Sequence, residues 1–288
     1  MQGAASPVVC HTHGDGRWFP ADRMALRDMV EGFLDQADVP AEHGRIVAAV
    51  APHAGFIYSG GVAGHTFRAL RDNAGAGLGP DTVIVLGFTH REHFPGVALL
   101  DGDAIQSPLG PAGLDRAAAQ FLVEQDPCIY KDSAPHVAEH SAENEIPFLQ
   151  VALPGIPLVV ALMGDHDARV VAPFVNALQS LAKERRLLIV ASSDMLHNPD
   201  YDTVLRTDRA TLSLLEAMDL DALRHTWAPS HQPVCGIGPL SIALSFARTE
   251  GVQRGSVLCY RNSGDDHPGS RGDWVVGYSS ITYSVRDA

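Results

Sequence analysis

Ile46-Val47-Ala48-Ala49-Val50-Ala51-Pro52-His53-Ala54-Gly55, running on through Tyr58 to the pair Gly60-Gly61, carries the first signature of this chain's fold. The unbroken apolar run Ile46–Val50 is the pattern of a strand buried on both faces, as parallel strands in α/β proteins are. Pro52 ends the run because proline has no N–H to give a neighbouring strand. His53 follows at once, and Gly55, Gly60 and Gly61 predict a tight turn before a helix over 62–73. A histidine just past the carboxyl end of a buried strand stands where open α/β sheets bind their ligands.

The pattern recurs outward from there. Thr82–Leu86 is a second apolar run, and Gly87-Phe88-Thr89-His90 follows it. Pro157–Leu162 is a third, and Leu187–Ala191 a fourth, ending in Ser192-Ser193-Asp194-Met195-Leu196-His197. Helical periodicity separates these runs: 21–34, 114–124, 168–184, 204–217, 219–226 and a helix reaching about Ala247. Val97–Leu100 reads as a short strand. Ser256–Asn262 and Trp274–Ser284 alternate like antiparallel strands. The whole predicts one α/β domain over residues 1–288, with a mixed, largely parallel central sheet flanked by helices. If the strands run parallel, their carboxyl ends share one edge, and His53, His90, Asp194 and His197 converge there.

Composition narrows the function classes. Of 288 residues, 34 are acidic and 21 basic, a formal charge of −13, which argues against a nucleic-acid footprint and against anionic membranes. The four cysteines, Cys10, Cys128, Cys235 and Cys259, lie far apart with no CxxC pair and read as reduced thiols of a cytoplasmic protein. The first residues show no signal-peptide pattern, and no apolar run approaches membrane-spanning length.

Other ligand-type residues divide into structural and chemical readings. Cys10-His11-Thr12-His13 lies beside Gly14-Asp15-Gly16 near the chain start, so residues 1–16 read as a flexible segment with incidental ligand types. In Glu139-His140-Ser141-Ala142-Glu143, Ser141 is a candidate helix N-cap, and Glu143 suits the positive end of that helix. Pro147 requires that helix to start late or to kink. Cys235-Gly236 precedes Pro239 in the first turn of the next helix. A thiol there is expected to gain thiolate character, suiting metal ligation or nucleophilic attack, against the plain alternative of a small buried hydrophobe.

Five motifs in order are more specific than any one of them: A-P-H-A-G at 51–55 with Tyr58, the strand ending in His90, E-H-S-x-E at 139–143, S-S-D-x-x-H at 192–197, and C-G at 235–236. The set resembles the Memo family (AmmeMemoRadiSam system protein B), from about Trp18 to the final strands. That family's fold is similar to the LigB-type class III extradiol dioxygenases, non-haem iron enzymes that open catechol rings. The resemblance implies that His53, His90 and Cys235 hold a metal. It makes His197 the acid/base histidine with Asp194 nearby, and Trp18 and Tyr58 pocket walls. A carboxylate is the third ligand in the dioxygenases, so Cys235 marks the departure from their pattern.

The primary expectation is a metal-dependent redox enzyme, dioxygenase-like, with iron(II) first and copper or zinc as alternatives. His140 and Glu143 would orient the substrate or the groups behind the ligands. The alternative is a binding protein that uses the same pocket to recognise a ligand or peptide. A third reading is a hydrolase with Cys235 as nucleophile and His197 as base. The expected partner is a small-molecule substrate or ligand, not nucleic acid or membrane, with a homo-oligomer left open.

Overall fold

Four strands at the middle of the sheet run parallel, in the spatial order Arg45–Ala51, Leu187–Ser192, Thr82–Phe88, Leu158–Met163. They come from a computed structural model that describes residues 6–42 and 44–285. Every residue of these strands except Arg45 is buried, which is why the sequence shows apolar runs rather than alternation. Side chains nonetheless part by a period of two. Ile84, Leu86, Val159, Ala161, Ile189 and Ala191 enter one core cluster, while Val83, Val85, Leu158, Val160, Leu188 and Val190 enter the other. The central sheet is therefore covered on both faces.

Antiparallel strands extend the sheet to nine in all. Val275–Val285 pairs with Arg45–Ala51 on one side and with Ser256–Asn262 on the other. At the far edge, Val97–Leu99 runs antiparallel to Leu158–Met163 and parallel to Ile129–Lys131. The mixed, largely parallel α/β sheet expected from the sequence is the one found. One face carries the helices Arg23–Gln36, Phe56–Asn73 and Ile146–Ala152; the other carries Arg116–Val123, Ala168–Ala182 and Ile237–Thr249. No helix among the described residues is long and apolar enough to cross a membrane.

Three local expectations are corrected. The glycine pair does not form a turn: the helix begins at Phe56, six residues early, and Gly60 and Gly64 let it cross the helix Arg23–Gln36 against Phe33. A Cβ on Gly64 would stand 2.6 Å from the Phe33 carbonyl oxygen. Ser141 caps no helix. Its Oγ instead accepts from the backbone N–H of Phe88 (3.0 Å) and donates to the Phe88 carbonyl (2.7 Å), while the helix starts later, at Ile146, with Pro147 in its first turn. The expected flexible segment falls partly on residues 1–5, which lie outside the described residues. Beyond them, Val9–His11 is a strand parallel to Ala104–Ser107, and the Thr12 N–H donates to the Gln106 carbonyl.

Candidate metal centre

Adjacency of the parallel strands decides the site. Leu187–Ser192 lies between Arg45–Ala51 and Thr82–Phe88, so the segments leaving all three meet at one edge. His53 is buried there. Its backbone N–H donates to Asp194 Oδ1 (2.9 Å), its carbonyl accepts from Asn144 Nδ2 (2.6 Å), and its Nδ1 lies 2.8 Å from Ser192 Oγ. The rings of His90 and His140 stand edge-on to it, with centroids at 5.3 and 5.4 Å, and are themselves stacked at 4.7 Å. One ring nitrogen from each of the three lies within 4.8 Å of the others. His53 is buried, His140 partly buried and His90 exposed.

One carboxylate orients two of these rings. Glu139 accepts the backbone N–H of His90 at Oε2 (2.7 Å) and those of His140 (2.8 Å) and Ser141 (2.9 Å) at Oε1. Oε1 also faces Nδ1 of His90 at 3.0 Å and Nδ1 of His140 at 3.3 Å. Burial works to raise Glu139, but the bonds from His140 and His90 outweigh it and hold the carboxyl far below the usual range. An ionised Glu139 accepts from an Nδ1–H of either ring, the tautomer that frees Nε2 for a metal ion. That is the arrangement metal-bound histidines share. Burial, then the rings of His90 and His140, keep His53 well below the ordinary imidazole value, so it is neutral. The donor set fits a metal ion.

Cys235 sits beside His53, its Sγ 3.5 Å from His53 Nε2 and accepting the Asp194 backbone N–H at 3.1 Å. Gly236 follows because a Cβ there would stand 2.6 Å from the Ser192 carbonyl oxygen. The expected thiolate character is overturned: burial, then the Asp194 charge, push the thiol well up, outweighing the hydrogen bonds from Ser193 and the Asp194 backbone. Asp194 lies 4.0 Å from His53 Nε2 and 3.9 Å from His197 Nε2, and burial raises it to about 7 despite the N–H bonds it accepts. His197 is lowered to about 4, first by desolvation and then by His90, although 38% of its side chain is open.

A cavity of about 750 Å³ opens above the cluster, lined among others by Trp18, Tyr58, His197 and Trp274. Trp18 does more than form a wall, since its ring stacks on His140 at 4.1 Å and 7° between planes. Tyr58 stands at the mouth, edge-on to His267 at 5.2 Å. Glu143 turns away from this cavity. It accepts the backbone N–H groups of His13 (2.8 Å) and Gly14 (2.6 Å), pinning the segment that leads to Trp18. His166 follows the strand Leu158–Met163, yet its ring packs on Phe88 and Trp227, and its Nδ1 accepts from the Gly238 N–H (3.2 Å).

Sequence reasoning gave Glu139, Asn144, Glu145 and Ser192 no part in the site. Glu139 and Ser192 both lie inside quoted motifs, E-H-S-x-E and S-S-D-x-x-H, so their signal was present without a role attached.

Fold and site together define an α/β protein with a histidine cluster able to hold a metal ion at the carboxyl edge of its parallel strands. Residues 11–282 match the Memo-like protein family, and the chain belongs to that family. A MEMO1 family protein of Methanopyrus kandleri is 30% identical, the match covering 96% of this chain and 98% of that one. A second, from Thermoplasma volcanium, is 31% identical over 92% and 95%. Among solved structures, an uncharacterized protein of Escherichia coli K12 shares the fold, with a TM-score of 0.50 at 17% identity, covering 83% of this chain and 99% of that one.

Proposed function

We propose that this protein is a metal-dependent redox enzyme, dioxygenase-like, that takes a small molecule into the aromatic-walled cavity. The observation that carries the reading is the convergence of three imidazoles whose Nδ1 atoms are tied to protein, with the Cys235 thiol 3.5 Å from Nε2 of His53. His53 and His90 are the core of the ligand set. His140 is the third donor by proximity, and Cys235 competes for that place from beside His53. Imidazole with or without a thiol suits iron(II), copper and zinc, and the resemblance to non-haem iron dioxygenases puts iron(II) first among them. Such an ion would supply Lewis acidity and, if redox-active, electron exchange with oxygen.

The remaining roles belong to the chain itself. A neutral His197 on the cavity wall is placed to take a proton from a substrate hydroxyl at Nε2, with Asp194 Oδ2 3.9 Å away to steady the imidazolium. Trp18 holds His140 by stacking and closes one wall against water. Glu143 fixes the Trp18 segment, so its influence on substrate is through that wall. The buried, protonated thiol of Cys235 speaks against the hydrolase reading, which needs a thiolate. A binding role without catalysis is favoured by the exposed apolar rim, where Ile57, Tyr58 and Trp274 are 67%, 46% and 55% exposed.

Metal analysis of anaerobically purified protein tests the centre, comparing wild type with His53→Ala, His140→Ala and Cys235→Ala. Stoichiometric metal in wild type and its loss in His53→Ala is the expected result; undiminished metal in His53→Ala rules the centre out. Which of the other two variants loses metal names the third donor. Oxygen uptake by iron-loaded protein over a panel of catechols then separates enzyme from binder.

A further inference from the structure

Ser192 Oγ has one proton to give and two lone pairs to fill. It has three close partners: the Ser141 carbonyl oxygen at 2.5 Å, Glu145 Oε1 at 2.7 Å and His53 Nδ1 at 2.8 Å. A carbonyl oxygen can only accept, so the serine proton goes to Ser141. The other two partners must then donate, and Glu145 can donate only as a carboxylic acid. A second observation agrees. Glu145 is wholly buried, and its Oε2 meets no hydrogen-bond partner among the described residues. An ionised carboxylate with one oxygen bare in the protein interior is far costlier than a neutral acid with the same contacts.

We propose that Glu145 is a positioning residue held as a neutral carboxylic acid: its Oε1–H donates to Ser192 Oγ, Ser192 donates to the Ser141 carbonyl, and the remaining lone pair of Ser192 takes the Nδ1–H of His53. The imidazole then carries no proton on Nε2, the atom that faces Cys235 Sγ at 3.5 Å. Deep burial, with Asp194 adding to it against the Ser192 bond, pushes Glu145 in the same direction. The short segment from Glu139 to Glu145 thus sets all three imidazoles with two acids in opposite charge states: Glu139 ionised behind His90 and His140, and Glu145 neutral behind His53. The benefit to a metal ion rests on the functional reading above, whereas the protonation pattern stands without it.

Infrared spectroscopy of the metal-free protein at neutral pH tests the pattern directly. A protonated-carboxyl C=O band present in wild type and missing from Glu145→Gln is expected. Nitrogen-15 NMR should find His53 protonated at Nδ1 and bare at Nε2. Gln supplies the same donor to Ser192, so Glu145→Gln should bind iron(II) within about threefold of wild type, while Ser192→Ala should bind it about tenfold or more weakly. No carboxyl band lost in Glu145→Gln, or a proton on His53 Nε2, overturns the proposal. Wild type that shows the band and the Nδ1 proton but binds no metal would uphold the proposal and reject the metal reading.

Discussion

At Glu139 a single carboxylate faces the Nδ1 atoms of two imidazoles, at 3.0 Å from His90 and 3.3 Å from His140. Replacing it with glutamine leaves one acceptor oxygen and introduces an N–H₂ that can only donate. Both Nδ1 atoms face Oε1, so the amide oxygen can serve them only by turning that N–H₂ against the backbone N–H of His90, which Oε2 of the glutamate accepts. Glu139→Gln should therefore weaken metal binding about 10–100-fold with the fold intact. Calorimetric titration of the metal-free variant checks this, and an unchanged affinity would remove Glu139 from the account. At this scale the sequence was informative wherever a residue directly follows a strand: His53, His90 and Asp194 were legible for that reason. The motif was read with the role on Glu143 and none on Glu139, because only the folded chain shows which carboxylate faces the rings.

Among the elements, the helix Phe56–Asn73 was misread at its start, because glycines that permit a turn also permit a close helix crossing. Two of its glycines should respond oppositely to alanine. Gly64 faces the Phe33 backbone, so Gly64→Ala should destabilise by about 1–3 kcal/mol. Gly61 has nothing within 4 Å, so Gly61→Ala should stabilise by about 0.5–1 kcal/mol through helix propensity. Urea midpoints of the pair measure both, and a shift of the same sign in both variants contradicts the crossing geometry.

The helix Tyr201–Ala217 carries a buried acid, Asp208, which accepts from Tyr260 Oη (2.8 Å) and the Leu196 N–H (3.1 Å). Burial raises it from 3.8 to about 7 in spite of those bonds. The native state therefore holds this proton more tightly than the unfolded chain. Its contribution to stability is greatest below about pH 4 and is lost as pH rises to about 7, by an amount on the order of a few kcal/mol. Asp208→Asn removes the titration. Thermal melts should show the variant gaining on wild type from pH 4.5 to 7.5, and a pH-independent difference would refute the assignment.

For the whole molecule, metal binding and folding are linked if the cluster exists only in the folded chain. Its members come from segments around residues 53, 90 and 140, which only the folded chain brings together. Saturating metal at about 100 times the dissociation constant should add about 2.7 kcal/mol to stability. The increment should vanish with a chelator and be missing from His53→Ala, as read by melting temperature with and without iron(II). A metal-induced rise that survives in His53→Ala would place the ion elsewhere.

The sequence by itself determined the strands and their class: residues buried on both faces must be apolar without interruption, and four such runs separated by helical periodicity leave few arrangements other than a parallel sheet. It also determined that histidines and an aspartate follow those runs, and its ordered motifs pointed to the family. Only the tertiary structure decided which strands are neighbours, and so that His140 joins His53 and His90 from a loop with no strand before it. It decided the charge states as well. Burial is a property of the folded chain, so the same fold that ionises Glu139 with N–H donors protonates Cys235 by excluding water.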